Sequence, residues 1–204
     1  MGVKIKYKTK VDVTKDMLKN LSAVKGKSIE VGCFKGDNAW LAGIHEYGCN
    51  ITAKNGKYLT VPVHPDAAGK SAKSFSDLFV INTKKGNKFL ARKSGRKGKD
   101  ITLMYWLTES VKIPERSFLR AGHDEHIDEV IKKAEMEIGL LIEGKMSNQK
   151  YLDEIGEMLS TKIKSYATKL SNPPNSSITV ETKGNSNPLM DTGNMIEGIS
   201  WRVK

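Results

Sequence analysis

The chain has 204 residues and a formal net charge of +11, from 34 basic and 23 acidic side chains. That length supports one domain with a real buried core, and the longest apolar runs, such as IGLLI, are too short to cross a bilayer. Two cysteines, Cys33 and Cys49, make no disulfide framework and suit a reducing compartment. The charge comes in blocks. Residues 1–27 carry eight Lys and two Asp, residues 82–99 six Lys and two Arg with no acid, and residues 123–143 seven acids against two Lys. Separate positive and negative blocks on one chain suit charged partners, copies of the same chain included.

Val3–Val13 alternates apolar residues with Lys, which predicts a half-exposed strand and, lacking a continuous apolar stretch, no signal peptide. Met17, Leu18, Leu21 and Val24 share one face of a following helix, with Thr14 as its cap and Gly26 as its end. KSIEVGCF reads as a strand, and AWLAGIHEYG as a short helix closed by Gly48. In residues 49–110 the character changes: KYLTVPV, DLFVINT, KFLARK and ITLMYWLT predict four strands, with a basic loop over 84–99. From Asp124 the period is helical, with Ile127, Ile131, Ala134, Ile138 and Leu141 on one face. Gly144 breaks that helix. A second carries Leu152, Ile155, Leu159, Ile163, Tyr166 and Leu170, and stops at Pro173–Pro174. The tail alternates through SITVET, then predicts a helical turn and a last strand, Ile199 to Val203. The fold class expected is α+β: a small twisted, mostly antiparallel sheet packed by two long helices. Residues 1–48 and 111–204 form the core domain, and 49–110 a β-rich insertion.

Chemistry-bearing patterns are sparse. No phosphate-cradling glycine loop, nucleophile elbow or metal-spaced cysteine set occurs. His123 and His126, beside Asp124 and Glu125, could share a metal, but two ligands on one helix start do not complete a site; acids there suit the positive end of a helix dipole. His45–Glu46 could be an acid–base pair, with packing or hydrogen bonding the simpler role. Asp191 and Thr192 suit a helix cap. These residues therefore imply no catalytic site, metal or cofactor. The richest handle is Lys84, Lys85, Lys88, Arg92, Lys93, Arg96, Lys97 and Lys99. Those charges could neutralise phosphates, but Phe89 alone is interleaved, so there is no stacking platform for bases.

Three segments, AWLAGIHEYG (39–48), VKIPERSFLR (111–120) and NPLMDTGNMIEGISWRV (187–203), together resemble the tail-completion or neck proteins of tailed bacteriophages, the phage virion-morphogenesis family. IPERSFLR is the most specific, with Ser117 where the family usually has a second proline. The resemblance covers the chain outside the insertion. It implies a structural protein of the virion head–tail junction, made in the bacterial host cytoplasm. It further implies a ring of identical subunits, expected to be a hexamer, against adjoining neck or tail-tube proteins, with non-specific contact to DNA in the channel, no membrane and no catalysis. Glu46, Arg116 and Arg120 are then the expected assembly residues, the two arginines offering rigid forks to carboxylates on a partner or within the subunit. Pro114, Phe118 and Leu119 would fix a joint between strand and helix. A DNA-binding module using residues 84–99 is the alternative, and a metal-dependent nuclease a third.

Overall fold

The computed structural model describes residues 13–54, 56–95 and 100–204. The expected strand over 3–13 lies almost wholly outside them. The protein is α+β, and every strand pairing is antiparallel, divided among three small sheets. Helices α1 (Thr14–Val24) and α2 (Gly36–Tyr47) flank strand β1 (Ile29–Gly32). Strands β2 (Cys49–Thr52), β3 (Leu59–Pro62), β4 (Phe79–Asn82), β5 (Lys88–Ser94), β6 (Asp100–Thr108) and β7 (Ser110–Ile113) follow. The long helices α3 (Phe118–Ile142) and α4 (Asn148–Lys169), short helices α5 (Ser177–Lys183) and α6 (Asn194–Glu197), and strand β8 (Ser200–Val203) complete the chain.

The α3–α4 hairpin is the frame. Apolar residues three and four apart give each helix a stripe, and the stripes meet in a core holding Val130, Ile155, Leu159 and Ile163. Lys133 bonds both Glu137 on its own helix and Glu154 on α4, while Lys162 reaches Glu129 at 2.5 Å. The first and last described strands pair over this core, Ile29 opposite Val203 and Val31 opposite Trp201. Trp201 lies so close to α4 that a β-carbon on Gly156 would sit 2.5 Å from its ring; the helix tolerates glycine there because the indole needs the space. Helix α1 lies against the far end of α3, Asn20 donating to the Leu141 carbonyl at 3.2 Å.

The insertion leaves and returns through a two-stranded ribbon, β2 on β7, with Cys49 opposite Ile113 and Thr52 opposite Ser110. Beyond it stands a four-stranded sheet in the order β3-β6-β5-β4. It has its own small core of Ala67, Met104 and Tyr105, closed by Phe75, Leu78 and Leu90 and separate from the helical core. The Tyr105 hydroxyl ties this layer down, donating to the Lys70 carbonyl at 2.9 Å.

Three sequence expectations change. Helix α3 starts at Phe118, six residues before Asp124, because a capping group reaches it from another element, as described below. SITVET is helix, not strand: Ser176 Oγ accepts from Thr179 N–H and starts α5. Thr14 is the first helical residue of α1 and not its cap. Gly156→Ala tests the close approach of Trp201. It should cost about 1–3 kcal/mol, the range for overfilling a packed site, in chemical denaturation, with a change in tryptophan fluorescence.

Candidate functional site

Of the sequence-derived site residues, three converge at one place, the junction of α2, β7 and α3. Pro114 holds the chain extended after β7 and keeps its neighbour out of helical geometry. Gly48 ends α2 at φ +67°, and a β-carbon on it would lie 2.8 Å from the Glu115 nitrogen and 2.9 Å from the Ile113 oxygen. The two segments therefore cross in backbone contact, and only glycine fits.

Glu46 is the centre of the junction. Its side chain is buried, the residue 2 % exposed, and it points at the first turn of α3. Its carboxylate accepts from Leu119 N–H at 2.8 Å and Arg120 N–H at 3.1 Å. It also accepts from Ser117 Oγ at 2.8 Å and Arg120 Nε at 2.8 Å. A helix begins with unpaired N–H groups and partial positive charge, and α3 has neither a side-chain cap from Ser117 nor an acid in its first turn. Glu46 supplies both from across the fold. Burial alone would raise its pKa; the hydrogen bonds from Leu119, Arg120 and Ser117 outweigh that and hold the carboxyl below its ordinary range.

Arg120 bridges Glu46 and Glu115, the latter at 2.7 Å, and its guanidinium lies over the Tyr47 ring. Arg116 faces inward and is 6 % exposed. Among the described residues it meets no carboxylate. Its Nε donates to the Pro173 carbonyl at 2.8 Å, and its terminal nitrogen to the Pro174 carbonyl at 3.2 Å and Asn175 Oδ1 at 3.4 Å. Arg116 therefore clamps the turn after α4 onto the start of α3. Its backbone N–H donates to the His45 carbonyl at 2.7 Å, and its guanidinium lies 3.5 Å from His45 Nδ1. Burial, then Arg116 and Lys183, lower the His45 pKa from 6.5 to about 4, so the imidazole is neutral and can accept from Arg116.

Glu46 and Arg116, expected to meet a partner, are thus spent inside the subunit; among the three, Arg120 alone keeps a half-exposed side chain. The basic residues do not form one loop. Lys84 and Lys85 sit in the β4–β5 turn, while Lys88, Arg92 and Lys93 lie along strand β5. Lys88 donates to Tyr58 at 2.9 Å and Arg92 to Asp66 at 3.0 Å. Alternating strand residues belong to opposite faces, so this register divides the charge. Arg96, Lys97 and Lys99 lie outside the described residues. His123 pairs with its neighbour Asp124 at 2.8 Å, and His126 lies 3.7 Å from Glu125 and Glu129. No group of three metal-ligating side chains occurs among the described residues. No helix among them is long and apolar enough to cross a membrane.

Sequence reasoning missed Asn187. Its Oδ1 accepts from Leu189 N–H at 2.7 Å and Met190 N–H at 3.1 Å, and its Nδ2 donates to the Ala167 and Thr168 carbonyls at the end of α4. The Asn-Pro pair was the available signal, since such an Asn folds back on the backbone two residues on. The N-cap of α6 is Gly193, without a side-chain cap bond, so neither Asp191 nor Thr192 is the helix cap expected; the Thr192 hydroxyl accepts from Asn194 N–H at 3.4 Å just ahead of that helix.

The chain matches no protein-family model, no curated protein and no solved structure.

Two tests follow from this junction. Glu46→Gln should cost about 2–4 kcal/mol, because it leaves charged and N–H donors facing a weaker acceptor in a buried place. Arg120→Ala, on the exposed side, should cost clearly less, since an exposed partner is screened by solvent; equal losses would mean that the ion pair, and not the cap, holds the joint. For His45, the unfolded chain binds a proton below pH 6.5 that the folded chain refuses until about pH 4. Its contribution is therefore complete above pH 6.5 and falls by about 1–3 kcal/mol as the pH drops from 6.5 to 4. His45→Gln should flatten that slope in urea titrations.

Proposed function

We propose that the protein is a structural subunit of a tailed-bacteriophage virion, placed at the head–tail junction and assembled there as a ring of identical copies. One observation carries the reading. The three segments that resemble the neck and tail-completion proteins are far apart in sequence and lie together in the fold. Glu46 from the first holds Leu119 and Arg120 from the second. Asn38, just before the first, donates to the Asn194 carbonyl of the third at 3.0 Å. The Pro173–Asn175 turn clamped by Arg116 is tied on through Asn175 Nδ2 to the Asn187 carbonyl at 3.4 Å. That the segments carrying the resemblance meet in one hydrogen-bonded cluster supports a geometric role for them.

The chemistry of the cluster fits a mechanical part. Glu46 and Arg116 at its centre are held by internal partners. A neutral His45 beside a buried guanidinium, and a carboxylate held ionised on a helix start, both fix an angle between elements. A ring at this position would surround passing DNA, and the lysines at the end of the insertion give it a non-specific electrostatic contact.

Native mass spectrometry with negative-stain imaging tests the reading. The expected result is a closed ring at a small integer multiple of the 22.6 kDa chain. A monomer at tens of micromolar would sink it. So would metal-dependent DNA cleavage that disappears in a His45→Ala, His123→Ala, His126→Ala variant.

A further inference from the structure

Strand β1 has one paired edge and one open one. Just before it, Ser28 N–H donates to the Lys204 carbonyl at 3.0 Å and Lys204 N–H to the Ser28 carbonyl at 2.9 Å. Antiparallel pairs alternate between bonded and non-bonded, so Glu30 with Arg202 and Gly32 with Ser200 repeat that exchange. The N–H and carbonyl groups of Ile29 and Val31 therefore point the other way. No strand among the described residues pairs with that edge. Beside it lies a groove of about 580 Å³. Ile29 and Val31 line its β1 side, and Ile127, Val130, Ile131 and Ala134 its α3 side. The β1–β8 ribbon lies on α4, so the groove opens over α3, where Ile131 is 47 % exposed.

We infer that Val3–Val11 of the same chain fills this groove as a third strand, antiparallel to β1. Pattern, reach and charge select that occupant. Val3, Ile5, Tyr7 and Val11 alternate with Lys4, Lys6, Lys8 and Lys10, so a strand here has one apolar face, broken only by Thr9, and one cationic face. With the apolar face on the groove, the odd-numbered residues stand opposite Ile29 and Val31, and their backbone groups meet the open edge. Reach follows from α1. Asn20 ties that helix to the Leu141 carbonyl, and Val13 stands seven residues earlier, about 10 Å along the axis. The groove begins at Ala134, about two turns back along α3 from Leu141, and ends at Leu119, about 22 Å further on. Nine residues of strand span about 30 Å. Direction follows too. Trp201, opposite Val31, sits on Gly156, and Cys33 lies near enough to Lys164 for that charge to act on its thiol. Strand β1 thus runs with α4 and against α3, whereas a segment leaving the groove at Ala134 to enter α1 runs with α3. Charge marks the rim. At 100° per residue Asp124, Asp128, Ile131 and Glu135 fall within about 60° of one another on α3. Asp124 and Ile131 line the groove, so this flank is its outer edge, and its three acids are exposed. Lysines on the outer face of the added strand have long stems with which to reach them. The inference does not depend on the ring reading.

Amide hydrogen exchange, read residue by residue in the full chain, tests it. In the wild type Ile29 and Val31 N–H should be protected as Glu30 and Gly32 are, whose bonds go to β8. In a variant carrying Ile5→Glu and Tyr7→Glu, Ile29 and Val31 should exchange at least ten-fold faster while Glu30 and Gly32 keep their rates, which shows the β1–β8 ribbon intact. If that variant loses the ribbon as well, Thr9→Pro takes its place: it spares the apolar row and removes one ladder donor. Free exchange of Ile29 and Val31 in the wild type overturns the inference. So does protection that neither variant changes. Protection should also survive ten-fold dilution. If it falls with dilution, a second copy fills the groove and the assignment to the same chain is overturned.

Discussion

The fold depends on one buried carboxylate. A helix as long as α3 needs a fixed origin, because a small error in its entry angle becomes a displacement of several ångströms at its far end. Its local sequence supplies no cap. Glu46 supplies one from α2, and in doing so fixes the angle between two helices that also share the apolar core through Ala42 and Phe118. The arrangement is self-consistent: the donors that ionise Glu46 are the groups that would otherwise be unsatisfied at the start of α3. Arg116 does the same for the other end of the hairpin, binding the carbonyls of the turn after α4. Two charged groups thus take over, at the entrance to the helical layer, what apolar packing does within it.

Burying charge is expensive, and replacing such a group by a well-packed apolar one is often neutral for stability. What an apolar replacement lacks is directional partners. Glu46 and Arg116 have directional partners, and their neighbour Gly48 leaves no room for adjustment. Specificity of angle is the property a repeating assembly needs, because errors add from subunit to subunit around a closed path.

Much of this was legible in the sequence, for a physical reason. The helices α3 and α4 announce themselves because an amphipathic stripe is a local signal, repeated every three or four residues. Strands β3 to β6 did so through β-branched and aromatic runs bounded by Gly, Asn and Lys. The start of α3 did not, because its cap lies more than seventy positions away, and Ser117 looks like an N-cap that turns out to donate to the true one. SITVET alternates like a strand but is governed by Ser176 ahead of it. The Lys84–Lys99 run looked like one basic loop because composition does not record register, and pairing with β4 and β6 divides its described part, Lys84 to Lys93, between a turn and two faces. At the junction, residue types were readable as rigid and charged; whether each pointed inward or outward was not, since that depends on contacts between segments distant in the chain.

The β2–β7 ribbon has a consequence of its own. The chain departs at Cys49 and comes back at Ile113 side by side, so the body holds the insertion mainly by a pair of adjacent ends, with a further contact where α5 meets the turn at Pro65–Ala67. Much of what lies between them can lengthen or shorten without moving Glu46, Pro114 or the start of α3. The junction is constrained by its own hydrogen bonds, while the sheet beyond the ribbon is held by its own small core and by the contact of its 65–67 turn with α5. Such a molecule is modular in the way a fitting with a standard thread is modular: the same mount can carry attachments shaped for different neighbours.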